Sequence, residues 1–111
     1  MKLTVDGETL NVSDVTELGT ATANSFQNEL AAAIPSGVKQ INLDLSHTDF
    51  VDCGGLGALV SVWKSAVGRN GAIRIRVLNA RQPVERMFNL TQLDRVFSME
   101  RQVHPSSQKT T

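Results

Sequence analysis

The chain contains one cysteine, Cys53, and no tyrosine. A single thiol cannot close an internal disulfide, so a packed core rather than a covalent cross-link must hold the fold. Four phenylalanines and one tryptophan are spread along the chain without interleaving basic side chains. Arg74, Arg76, Arg81, Arg86 and Arg95 fall in several separate segments. The stacking platforms and basic stripe of a nucleic-acid binder are therefore missing, and no nucleic acid is expected as a partner. No apolar run approaches the length of a membrane span, and no basic n-region leads into an apolar h-region. The sequence predicts neither a transmembrane segment nor a signal peptide, and a cytoplasmic location is expected.

What is present fits one soluble domain. The chain has 111 residues, of which 41% are hydrophobic, enough for one core and too few for two. Net charge is zero, but residues 1–55 carry eight acids against two bases, and residues 56–111 carry three acids against nine bases. Such a split either reflects differently solvated faces or steers a polar partner.

Leu3, Val5, Leu10 and Val12 alternate around Asp6-Gly7, which predicts a β-hairpin. Thr20 or Thr22 is placed to cap a helix running to about Ala33, with Ala23, Phe26, Leu30, Ala33 and Ile34 on one face and Pro35-Ser36-Gly37 as its stop. Ile41, Leu43 and Leu45 alternate with polar residues as a strand. Leu56, Leu59, Val60, Trp63 and Val67 recur at helical spacing, with Gly68 and Asn70-Gly71 as the expected end. Ile73, Ile75 and Val77 form a further strand, one-sided or near an edge because Arg74 and Arg76 lie between them. Pro83 suits the first position of a helix whose core face is Val84, Met87 and Phe88. Val96–Met99 is an apolar ending, either strand or helix. The predicted class is α/β: a single domain over residues 1–103, with a mixed four- or five-stranded sheet and helices mainly on one face. Residues 104–111 read as a polar, disordered tail.

Phe50–Val60, FVDCGGLGALV, breaks the pattern. A strand ends, a thiol sits at the turn, and a helix begins on glycine, a poor helix former. Sites in open α/β sheets lie beyond the carboxyl ends of strands, which makes this turn the best candidate. Asp52 is a good N-cap type. Gly54, Gly55 and Gly57 would let a partner approach the backbone closely. No nucleotide-binding glycine motif is present. A catalytic cysteine needs a base and an orienting group, and the two histidines, His47 and His104, form no such set with Cys53. Neither do they give metal-ligand spacing, so no metal and no cofactor are expected. Cys53 is then a reactive thiol, a small residue filling a tight turn, or part of a surface read by another protein.

The segment INLDLSHTDFVDCGGLGALVSV resembles the signature of STAS domains, as in bacterial anti-sigma factor antagonists. TELGTATANSFQNEL and RVLNARQPVERMFNLTQLDRVF resemble the family's flanking segments, so the resemblance spans roughly residues 3–100. It implies a small α/β protein with no catalysis of its own, docking on an anti-sigma serine kinase of ATPase fold. In the family that kinase phosphorylates the serine after the motif aspartate, which weakens the complex. The resemblance assigns partner contacts to His47, Thr48, Asp52, Cys53, Gly54, Gly55, Leu56 and Gly57. Cys53 occupies the phospho-acceptor position, Gly54 replaces a residue that is often hydroxylic, and Gly19 stands where many members have aspartate. Two alternatives are a STAS subunit regulating the ATPase of a lipid-transporting ABC system and a thiol-based redox sensor.

Overall fold

The computed structural model describes residues 1–34 and 37–100. The expected domain end at 103, the tail over 104–111 and His104 lie outside the described residues, as does the Pro35-Ser36 part of the helix stop.

The hairpin forms as its alternation predicts. β1 (Lys2–Asp6) runs antiparallel to β2 (Thr9–Ser13), with Asp6 opposite Thr9 and Lys2 opposite Ser13. The two loop residues are Gly7-Glu8, and Gly7 has φ 63°. A positive φ at the first loop position suits the twist of a two-residue hairpin and is open to glycine without steric cost. β4 (Gln40–Asp44), β6 (Arg74–Leu78) and the short β7 (Ser98–Glu100) then add in parallel, giving the order β1-β2-β4-β6-β7. The parallel neighbours are connected through the helices α1 (Ala23–Ala33), α2 (Cys53–Asn70) and α3 (Gln82–Leu90). A separate pair, β3 (Glu17–Leu18) with β5 (Phe50–Val51), lies beside them. Two-residue strands carry no periodicity, so β3 is absent from the sequence reading.

Period-2 alternation sorts the sheet into two faces. Leu10, Ile41 and Ile75 stand in one row, Val12, Leu43 and Val77 in the next, and all six are buried. Phe26 and Leu30 of α1, Leu56 and Leu59 of α2, and Val84 and Phe88 of α3 pack into the same core. On the other face Asn11, Asn42 and Arg76 are in register. Asn42 Nδ2 donates to Asn11 Oδ1 at 3.0 Å, and Gln40 Nε2 donates to Asn42 Oδ1 at 2.9 Å. Arg76 makes a two-pronged ion pair with Glu100. The helices therefore cover one face, as expected, and hydrogen-bonded polar side chains line the other.

Three local expectations change. α2 runs through Gly68 to Asn70, and Gly71, at φ 83°, ends it by donating to Val67 O at 2.9 Å. Gly68 is thus a helical residue and Gly71 is the stop. The buried stripe of α2 runs through Gly55, Leu56, Ala58, Leu59, Val62 and Ala66, while Val60, Trp63 and Val67 pack at its rim. Trp63 is neither deep core nor a free anchor: its indole N–H donates to Ile73 O at 3.0 Å and its ring meets Phe97 edge-on at 5.9 Å. Pro83 is the second residue of α3 rather than the first, where its missing N–H still costs no helical bond.

Thr48 is wholly buried, and its hydroxyl donates to Val15 O. This bond pins the loop after β4 to the segment before β3. Thr48→Val would keep the shape and leave a buried carbonyl unpaired, so a loss of about 1 kcal/mol is expected in a urea melt.

Candidate functional site

The turn into α2 is built around Asp52. Its backbone N–H donates to Leu18 O at 3.1 Å, which brings β5 against β3. Its carbonyl then accepts the first helical bond, from Leu56 N at 3.1 Å. Its carboxylate accepts from Gly55 N at 3.0 Å, an N-cap bond that satisfies an otherwise free amide of the first turn. The same carboxylate accepts from Thr20 N and from Thr20 Oγ1, both at 3.2 Å. Asp52 is therefore both a helix cap and a latch holding the β3–α1 connection to the start of α2.

These bonds favour the charged form. The Gly55 amide, then the Thr20 amide, hold the Asp52 carboxyl below its ordinary value of 3.8, against the smaller opposing effect of desolvation. A carboxylate with a lowered folded pKa contributes stability that is complete above the unfolded value. That stability fades as pH falls below about 3.8 and through the lower folded value. Asp52→Asn should thus be less stable near neutrality, and its stability should fall less steeply between about pH 5 and pH 2 than the parent's. Urea melts across that range check both effects.

The four glycines near the turn do different things. A β-carbon on Gly55 would stand 1.8 Å from Leu18 O and 2.1 Å from Leu18 C. One on Gly54 would stand 2.1 Å from Thr20 Oγ1 and 2.9 Å from Thr20 Cα. Both positions are glycine because α2 lies directly on the β3–α1 backbone. Gly19 is buried under the Phe50 ring, whose Cε2 would be 2.7 Å from an added β-carbon. Gly57 is exposed and has nothing within 4 Å of that point.

Seen from outside, the site is smaller than the sequence suggests. Cys53 is exposed at the first position of α2, which excludes its reading as filler in a tight turn. Gly57 lies one turn further along the helix and is also exposed. Phe50 is 50% exposed, beside Cys53 on the same turn, and the sequence reading did not single it out. Asp52 and Gly54 are half-buried, and Gly55, Leu56 and Thr48 are buried. Their side chains or α-carbons support the surface from beneath. His47 is exposed, with its Nδ1 3.3 Å from Ser46 Oγ and 3.9 Å from Asp14 Oδ1, so its bonds run toward the segment before β3. Arg81 donates to Ser46 O at 2.9 Å and pairs with Asp49 at 2.9 Å, tying the start of α3 to the same loop. Thr20, expected only as a possible cap of α1, and Arg81 were not among the candidate site residues the sequence pointed to. Neither carries a motif signal, because each acts through a partner more than 30 positions away.

The chemistry available here is limited. Asp52 already takes the Gly55 amide of the α2 N-terminus, one of the groups that a bound phosphate would use. No cluster of His, Cys, Asp and Glu able to hold a metal occurs among the described residues. A concavity of about 140 Å³ lies elsewhere, between β3 and α1, with Glu17, Glu29 and Phe26 in its lining. It is open and acidic, and Cys53 does not line it. Among the described residues no helix is long and apolar enough to cross a membrane.

Comparison with known proteins agrees with this architecture. No curated protein sequence matches the chain. Among solved structures, a protein of Thermotoga maritima provisionally assigned as an anti-sigma factor antagonist superposes with a TM-score of 0.76 at 22% identity, over 98% of this chain and 91% of that one. An anti-sigma factor antagonist from Mycobacterium paratuberculosis gives 0.70 at 19% identity, over 98% and 90%. The unphosphorylated form of SpoIIAA, an anti-sigma factor antagonist from Bacillus that is also solved phosphorylated, gives 0.70 at 17% identity, over 98% and 93%. At these identities the superpositions establish a shared fold. The STAS domain family itself matches residues 2–109, nearly the whole chain. This chain therefore belongs to the STAS domain family.

Proposed function

We propose that this protein is a non-catalytic adaptor of the anti-sigma factor antagonist type, docking on a serine kinase of ATPase fold through the exposed surface of Phe50, Cys53 and Gly57. The observation that carries the reading is the solvent-facing position of Cys53 at the first residue of α2, on a turn latched by Asp52. A hydroxyl at that position would be open to a kinase. A thiol is not the substrate of a serine kinase, so the phosphate that ends the complex in the family has no acceptor at this turn. The adaptor then stays bound once its partner is present. Phe50 supplies an apolar contact, and Gly57 lets the partner approach the helix backbone.

The test has two stages. The protein is used to capture its partner from its native cell, the partner is identified by mass spectrometry, and both are purified. The expected partner is an ATPase-fold kinase that transfers no phosphate to the parent protein and phosphorylates Cys53→Ser at residue 53. A transporter ATPase as the partner, or phosphate on the parent at this turn, would contradict the proposal. Redox sensing predicts instead that thiol oxidation at Cys53 switches partner binding, and a titration of the oxidised and reduced protein decides it.

A further inference from the structure

β1 is an edge strand, and among the described residues no strand covers its outer side. Its free hydrogen-bonding groups can be identified. Glu8 O accepts from Lys39 N and Gln40 N, so Glu8, and with it Leu10 and Val12, turns its backbone groups toward β4. Thr9, Asn11 and Ser13 then face β1 and bond to Asp6, Thr4 and Lys2. That leaves the N–H and C=O of Leu3 and Val5 pointing outward. Side chains follow the same alternation. Lys2, Thr4 and Asp6 lie on the polar face with Asn11, while Leu3 and Val5 lie on the helix-covered side. Val5 is 49% exposed. No proline or bulge interrupts the strand, which are common means of blunting an edge.

We infer that a second copy of this chain pairs with β1 along its edge, antiparallel and centred on Thr4, to form a continuous ten-stranded sheet. That register sets Leu3 opposite the second copy's Val5, with the outward N–H and C=O groups of both residues meeting as two hydrogen-bonded pairs. It sets Lys2 opposite the second copy's Asp6, twice by symmetry, on the polar face. Thr4 faces its own copy at the two-fold axis. Centring on Leu3 leaves Asp6 without a partner, centring on Val5 sets Lys2 against the turn residue Glu8 and Leu3 against Gly7 rather than against strand residues, and a parallel, in-register pairing sets lysine beside lysine. The charges thus select one arrangement rather than blocking all. Val5 and the second copy's Leu3 extend the apolar row on the helix side. The inference is independent of the proposed docking surface at α2.

Sedimentation equilibrium from about 10 µM to about 1 mM, the range suited to a small interface, should show a concentration-dependent dimer. Asp6→Lys replaces two attractive cross-strand pairs with repulsive ones and should weaken association on the order of tenfold. Adding Lys2→Asp should restore it, which separates a pairing effect from damage to the hairpin. In a Cys53→Ser background, Thr4→Cys should give a covalent dimer on mild oxidation, because facing non-hydrogen-bonded residues stand about 4.5 Å apart at Cα. Lys2→Cys in the same background should not. A protein that stays monomeric throughout, a double charge swap that fails to restore association, or equal cross-linking at residues 2 and 4 would overturn the inference.

Discussion

Gly55→Ala should cost about 3 kcal/mol or more in a urea melt, while Gly57→Ala, two residues along the same helix, should raise stability by about 0.5–1 kcal/mol. The first effect follows from contact. An added β-carbon at residue 55 would stand 1.8 Å from the Leu18 carbonyl oxygen, and the obstruction is strand backbone rather than a flexible side chain. Relief requires α2 to lift from β3, which strains the Asp52–Leu18 and Asp52–Thr20 bonds together. The second effect follows from open space. Nothing lies within 4 Å of a β-carbon at residue 57, so alanine there reduces the entropy of the unfolded chain and improves helix propensity without a clash. Equal changes at the two sites would mean that the glycines serve local flexibility rather than close packing.

Cys53→Glu should weaken binding to the proposed ATPase-fold partner by about 1–3 kcal/mol, roughly 5- to 150-fold, while leaving the fold intact. A carboxylate at the first position of α2 is favoured by the helix dipole, so the free protein tolerates it. In the complex the same charge would lose solvent, beside the like charge of the Asp52 carboxylate, which already takes the Gly55 amide. Desolvated next to a like charge, it opposes docking. Cys53→Ser should bind like the parent until phosphorylated. A binding titration of the three proteins, with thermal melts as the control for folding, measures the effect.

Both predictions depend on features that the sequence reveals unevenly. The hairpin, the strands around Ile41 and Ile75, and the three helices were legible because their apolar residues recur over two or more periods. The sidedness of the sheet was legible too, since Asn42, Arg74 and Arg76 alternate with buried residues. The pair β3–β5 was not, because two residues define no period. The core face of α2 was read one step off. Val60, Trp63 and Val67 fit helical spacing as well as Val62 and Ala66 do, and small alanines carry little hydrophobic signal although they pack closest. At the turn, composition marked Asp52, Cys53 and the glycines, but not which way each faced. Gly54 and Gly55 are glycine because of Thr20 and Leu18, neighbours made by folding and separated from them by more than 30 residues. Thr20 as the partner of Asp52, and Phe50 left half in solvent, follow from the same tertiary arrangement.

The most direct test of the proposed docking surface is amide chemical-shift mapping of the labelled protein against the purified ATPase-fold partner proposed for it. Perturbations should centre on Phe50, Cys53, Gly54 and Gly57 and continue along the exposed side of α2 to Ser61, with little change at Asn11, Asn42 and Arg76 on the polar sheet face. Saturable binding whose perturbations centre on that sheet face, and leave Cys53 and Gly57 unmoved, would contradict the account.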